Sequence, residues 1–228
     1  YSTSLKELQY RLVYADGIDD KKPKILKPKQ VLYENPTTVA FDSESEKGKF
    51  YVYGLGQMLG LYDKAGYAVQ KADEVSGVVV SSDQAYVWER GNRDLRYEVE
   101  MEGFTVQEGE STFAACIRQI LVLEGKSVNV AEEMNAGKSA IDILSEYSGG
   151  EGMDLTGCTT EEMLYIIGRG TPVIAMTDSS NAVLLIGYDT STVTYIDPAD
   201  GGVHTSTAEE IDSMVAGSGH TFIGYVKP

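Results

Sequence analysis

The chain reads as an α+β protein, and three observations carry that reading. A compact ββαββ pattern fills residues 49–92, helical patterns dominate the stretch after it, and β patterns dominate the last third. Helices followed by an antiparallel β meander, rather than strict alternation, indicate α+β and not a doubly wound parallel sheet. The expected units are an N-terminal segment and linker over 1–48, the small ββαββ unit over 49–92 and a larger domain over 93–228.

Thr3 to Ala15 fits a short helix or a strand, and the periodicity does not decide between them. Residues 16–50 are rich in Asp, Lys and Pro around one apolar island, Gln30 to Tyr33, and read as a connector with a strand or two. Phe50, Val52, Leu59, Leu61 and Tyr62 flank Gly54-Leu55-Gly56-Gln57, the pattern of a hairpin. Ala65, Ala68, Val69, Ala72 and Val75 recur at helical spacing, and Gly77 closes that helix. Val78–Val80 and Ala85–Trp88 follow as strands around the polar turn Ser81–Gln84. The glycines 54, 56 and 60 do not make a dinucleotide fingerprint, because strand-like residues follow them where a helix must open.

Arg96 to Val106 reads as a strand and Thr112 to Leu123 as a buried helix. Helices fit Ser139–Tyr147 and Thr160–Gly168, the latter capped by Thr159 or Thr160, with Glu161 and Glu162 at the positive end of its dipole. Strands are expected at Pro172–Met176, Ala182–Tyr188, Val193–Ile196, Gly202–Thr205 and Thr221–Val226, with one helix, Ala208–Val215, among them.

Composition narrows the function classes. With 228 residues, 42% of them hydrophobic and 24% charged, the chain can bury a real core. Its 19 Lys and Arg against 35 Asp and Glu leave a net charge of −16, which repels a nucleic-acid backbone. The one basic cluster, Lys21-Lys22-Pro23-Lys24 with Lys27 and Lys29, reads as a solvated connector. No apolar run reaches the roughly 20 residues of a membrane span, so membrane insertion is not expected. The two cysteines, Cys116 and Cys158, allow one disulfide at most. With no Cys/His cluster and no His pair at ligand spacing, neither a metal nor another cofactor is expected. The segment Asp197-Pro198-Ala199-Asp200-Gly201 lacks the alternating carboxylates of a calcium loop. The chain starts at Tyr1 rather than Met, so it is expected to be a piece or processed form of a longer protein and to work beside other domains.

A helix that precedes a sheet is the order in which thiol peptidases place their parts. A thiol at a helix N-terminus is activated by the dipole, a His on a facing strand acts as base, a later Asp or Asn orients that His, and an upstream Gln completes the oxyanion hole. Gln107 lies ahead of Ser111-Thr112-Phe113-Ala114-Ala115-Cys116, which leads into Ile120-Leu121 and Gly125. Further on come Gly170-Thr171-Pro172-Val173, then Asn181 through Ile186-Gly187-Tyr188-Asp189, then Asp197-Pro198. In these motifs, over about residues 95–228, the chain resembles the bacteriocin-processing (double-glycine leader) peptidases, a family of papain-like cysteine peptidases.

The resemblance implies a papain-like fold in which Gln107, Thr112, Asn181 and Asp197 hold the site positions. It also exposes two departures. Thr112 stands where the family has its nucleophilic Cys, and Asn181 stands where it has the general-base His. An amide has no titratable nitrogen with which to activate a hydroxyl. The expectation is therefore a degenerate site, with no catalytic residue, in a peptidase-like domain of a bacterial protein. Such a domain binds a peptide or protein segment in the old groove, or serves as a structural interaction module, at the cell surface or outside the cell. The alternative is an active cysteine peptidase using Cys116 with His204 or His220. Against it, Cys116 falls a turn into the helix among Ile117 and Ile120, as a packing residue. The plain roles of the remaining residues are a helix cap for Ser111 or Thr112, a loop end for Asn181, and a turn for Asp197 before Pro198.

Overall fold

The structure is a computed structural model that describes residues 48–91 and 93–227. The helix or strand expected over Thr3–Ala15 and the connector after it lie outside the described residues. The first elements are β1 (Phe50–Gly54), β2 (Gln57–Tyr62), α1 (Ala65–Glu74), β3 (Val78–Val80) and β4 (Tyr86–Glu89). Their strands form an antiparallel sheet in the order β2-β1-β3-β4. Leu55 and Gly56 between β1 and β2 have φ of 50° and 76°, the two positive angles that let a two-residue turn follow the strand twist. At the end of α1, Ser76 rather than Gly77 takes the left-handed conformation, at φ 50°. The Ser76 N–H donates to the Asp73 carbonyl and the Gly77 N–H to the Ala72 carbonyl, which satisfies the last turn of the helix. Gly77 is needed for a different reason: a Cβ there would lie 2.2 Å from the Tyr53 carbonyl oxygen.

The larger sheet has seven strands. They are β5 (Tyr97–Glu98), β6 (Glu151–Asp154), β7 (Val173–Met176), β8 (Ala182–Tyr188), β9 (Val193–Asp197), β10 (Gly202–Ser206) and β11 (Phe222–Val226). Their order is β10-β9-β8-β7-β11-β6, with β5 beside β8 off that path, and the strands pair antiparallel. The expected meander thus holds only from β7 to β10. The chain then crosses the sheet through α6 (Ala208–Val215), and β11 inserts between β7 and β6. The strand expected over Arg96–Val106 shrinks to β5. It pairs with β8 at Tyr188 and Gly187, beyond the stretch of β8 that the four-residue β7 covers. There Gly187 is required by close approach, since a Cβ would come within 2.9 Å of the Tyr97 carbonyl oxygen.

Helices cover both faces of this sheet. On one face lie α2 (Thr112–Leu123) and α4 (Ala140–Tyr147), with the short α3 (Val130–Asn135) beside them. Ile174, Met176, Ala182, Leu184 and Ile186 meet Cys116, Ile117, Ile120, Ile143 and Leu144 there in one buried cluster. The other face holds α5 (Thr160–Ile167) and α6, and alternate strand residues Val173, Ala175, Val183 and Leu185 point into it. The same second cluster takes in Phe50, Val52, Ala68 and Trp88, so the ββαββ unit shares its core with the larger sheet. Two close contacts secure that junction. Glu151 of β6, only 5% exposed, accepts the Ser82 hydroxyl and the Asp83 N–H. A Cβ on Gly66 would sit 2.4 Å from the Gly157 carbonyl oxygen.

Capping explains the helix starts. Ser139, Thr159 and Thr207 each accept a hydrogen bond from the third residue of their helix, whose carboxylate bonds back to the cap N–H. Thr159, not Thr160, is therefore the cap of α5. The pattern hid α3 and β6: Val130 is the one buried residue of α3, and Glu-Gly-Met-Asp shows no strand alternation.

Candidate functional site

Ser111 caps α2, its Oγ accepting the Ala114 N–H at 3.1 Å. Thr112, the first helical residue, therefore meets the first residues of β8. Its Oγ1 accepts the Ala182 N–H at 2.8 Å and donates to Asn181 Oδ1 at 3.3 Å. Thr112 is 8% exposed, so these two bonds satisfy a hydroxyl that water barely reaches.

Asn181 is held in turn. Its Nδ2 donates to Asp178 Oδ2 at 2.8 Å, which fixes the end of the amide that faces Thr112. Asp178 Oδ1 accepts the backbone N–H of both Ser180 and Asn181 at 2.8 Å. The Asn181 side-chain bond, followed by these backbone bonds, holds the Asp178 carboxyl down to about 2. A carboxylate, an amide and a hydroxyl thus stand in the order of an acid–base–nucleophile relay. The middle member cannot take the hydroxyl proton, so the relay orients groups without activating one.

Gln107 and Asp197 lie in neighbouring turns. Asp197 Oδ1 accepts the Ala199 N–H at 2.9 Å and its carbonyl accepts the Gly201 N–H at 2.8 Å, which is turn chemistry. Exposed Gln107 donates its backbone N–H to Glu110 Oε2 at 2.9 Å. The Val106 N–H reaches the Pro198 carbonyl at 3.2 Å, which brings the loop before α2 beside the Asp197 turn. That loop is clamped by Arg118 of α2, whose Nε and Nη2 bond the two oxygens of Glu110 at 2.8 and 2.9 Å. Nη2 also bonds the Thr105 carbonyl at 2.9 Å. Burial works to raise the Glu110 carboxyl, but the hydrogen bonds from Arg118 and from the Gln107 amide outweigh it and hold it below its usual value.

The structure therefore joins Thr112 to Asn181 and sets Gln107 beside the turn of Asp197. The residue that orients Asn181 is Asp178, and the residues that hold the loop are Glu110 and Arg118. Sequence reasoning passed over all three. Asp178-Ser179-Ser180-Asn181 did carry a signal, because an Asp followed by polar residues folds back on its own backbone N–H groups.

Cys116 is fully buried, and its Sγ lies 3.9 Å from the Ala182 carbonyl oxygen. Burial pushes its thiol pKa up, and the charges of Asp197 and Glu110 push the same way. That environment disfavours the thiolate a nucleophile needs. Neither proposed base partners it. His204 Nε2 lies 3.1 Å from Asp200 Oδ2, and its ring stacks on Tyr195, which packs into the cluster on the opposite face of the sheet from Cys116. His220, at φ 54°, sits 3.8 Å from Asp212 of α6, on that same opposite face. Cys158 is also buried there, and both cysteines are free thiols. Among the described residues no cluster of His, Cys, Asp and Glu could hold a metal, and no helix is long and apolar enough to cross a membrane.

No protein-family model matches the chain, and no curated protein matches it. Among solved structures it is similar to the crystal structure of a "putative C39-like peptidase" from Bacillus anthracis, at 18% identity and a TM-score of 0.48. The similarity covers 59% of this chain and 99% of that one. The functional reading rests on the geometry of Thr112, Asn181 and their partners.

Proposed function

We propose that residues 93–228 form a papain-like, peptidase-like domain that has lost catalysis and acts by holding a peptide or protein segment without cleaving it. One observation carries the reading: the hydroxyl at the first turn of α2 is bonded to an amide at the start of β8, where a peptidase of this kind has a thiol and an imidazole. Helix dipole and strand position supply the place for chemistry, and the residues in it supply none. An extended segment bound there would be recognised through main-chain hydrogen bonds and side-chain pockets, the general mode for extended peptides. A domain of this type at the bacterial cell surface, beside other domains of a longer protein, fits the same reading.

The test has two arms. The wild-type chain is expected to retain extended peptides from an immobilised library and to release them uncut. Thr112→Trp should weaken that retention at least tenfold. Hydrolysis by the wild type, or labelling of Cys116 by a thiol-peptidase probe, would overturn the reading. In the double variant Thr112→Cys with Asn181→His, iodoacetamide should alkylate the new thiol faster at pH 7 than in Thr112→Cys alone, because a neighbouring imidazole stabilises thiolate.

A further inference from the structure

The described residues form a cavity of about 400 Å³ away from the Thr112 site. It opens beside the β8–β9 turn, Asp189 to Thr192, at the opposite end of seven-residue β8 from Asn181, a separation of about 20 Å along the strand. Leu164, Val193 and Ala208 give it an apolar floor, and Asp94, Glu161 and Asp189 stand on its rim. Arg93 is committed to Glu161: Nη2 lies 2.7 Å from Oε2 and Nη1 donates to the Glu161 carbonyl at 2.8 Å. Its guanidinium also lies 5.4 Å from the Tyr188 ring centre. The excess charge on the rim is therefore that of Asp94 and Asp189. The backbone N–H groups of Ser191 and Thr192, bonded to Asp189 at 2.8 and 2.7 Å, hold its carboxyl below the usual range, so it is ionised at neutral pH.

A cavity with an apolar floor and an anionic rim suits a cationic head on an apolar stem, which is a lysine or arginine side chain with aliphatic neighbours. The chain carries such a sequence. Five of its 19 Lys and Arg fall within residues 21–29, and Ile25-Leu26 lies between Lys24 and Lys27. In a chain of net charge −16, that segment is the one concentrated source of positive charge. Reach does not limit it. The 21 residues from Lys27 to Gly48 span up to about 70 Å when extended. A folded body of this size has a radius of gyration of only about 16 Å.

We propose that the Lys21–Lys29 segment docks, within the same chain, in the cavity between the β8–β9 turn and α5, with Ile25 and Leu26 on the apolar floor and lysines at Asp94 and Asp189. The basic cluster is then an internal ligand that sets how the N-terminal segment lies on the domain. This holds whether or not the Thr112 site binds peptide.

The test uses the full chain and a water-soluble carbodiimide, which joins a lysine amine directly to a carboxylate it touches, with the products mapped by mass spectrometry. Lysines 21–29 are expected to couple to Asp94, Glu161 or Asp189. That coupling should fall at least fivefold with Asp94→Asn and with Ala208→Trp, which fills the cavity, and severalfold at 0.5 M salt, where exposed charges are screened. Thermal melting of each variant separates lost docking from lost fold. Coupling of these lysines to carboxylates elsewhere, or no change with Ala208→Trp in a folded variant, would overturn the proposal. So would a mixture of isotopically light and heavy chains that yields mixed products at high dilution, because the occupant would then be a second copy. A partner protein as the natural occupant would show as carboxylates in the cavity that couple to added Lys21–Lys29 peptide but not to the chain's own segment, and this too would overturn it.

Discussion

Replacing Thr112 by Val tests whether its hydroxyl is a structural joint between α2 and β8. Val keeps the shape of Thr and removes only the hydroxyl. The Ala182 N–H, on a residue 2% exposed, then loses its 2.8 Å acceptor with little access to water. A buried donor left without a partner costs about 1–3 kcal/mol. The second bond, 3.3 Å to Asn181, adds little, because Asn181 is exposed and its oxygen re-solvates. Thr112→Ser keeps both bonds and loses one methyl group, about 0.8 kcal/mol. Equilibrium unfolding in urea, followed by circular dichroism on the full chain, separates the two. At a slope of about 2 kcal/mol per molar, Val should lower the midpoint by roughly 0.5–1.5 M and Ser by at most about 0.4 M. If Val and Ser shift the midpoint equally, or Val shifts it by under about 0.2 M, the hydroxyl is not the joint described and the site loses its geometric basis.

Three further outcomes follow from other parts of the structure. Native protein should show no fast-reacting thiol, and denatured protein should show two, because Cys116 and Cys158 are both buried with raised thiol pKa values; an Ellman titration with and without urea checks this. The Glu110–Arg118 clamp should make stability pH-dependent. The Glu110 carboxyl is held below its ordinary 4.5, so its contribution is present above that value and disappears as pH falls through the folded-state value. Glu110→Gln should therefore cost about 1–2 kcal/mol at pH 7 and progressively less as the pH falls below 4.5, read as urea midpoints down the pH scale. Gly66→Ala drives a Cβ into the Gly157 carbonyl and should cost about 1–3 kcal/mol, whereas Gly217→Ala meets its nearest backbone atom at 3.7 Å and should melt like the wild type.

How much was legible in the chain depended on how local the cause was. Helix α2 was readable to its ends because Thr112 to Leu123 carries a run of buried apolar residues behind a Ser cap, both of which are local facts. β8 was readable because seven apolar or small residues in a row are all buried. β5 was over-read as an eleven-residue strand, since its length depends on how much of the β8 edge the short β7 leaves free. β6 was missed because its Glu-Gly-Met-Asp becomes a strand only by pairing with β11, about seventy residues later in the chain. The partner of Asn181 was not read from the chain either: Asp178 is the carboxylate within hydrogen-bond reach, and which groups the Asn181 amide meets is set by the fold of the loop.

By itself, the amino-acid sequence determined the α+β class, the ββαββ unit and the residue types at positions 112 and 181. Those follow from side-chain periodicity, turn chemistry and the titration properties of Thr and Asn, none of which needs a neighbour distant in the chain. Tertiary structure alone decided the rest. It put β11 between β7 and β6, joined the small unit to the larger sheet through one core, and buried Cys116 on the face away from His204 and His220. It also set the Thr112 hydroxyl against Asn181 and Ala182, about seventy residues away. The physical reason is that long-range pairing and burial depend on which surfaces meet in three dimensions, and local patterns do not record that.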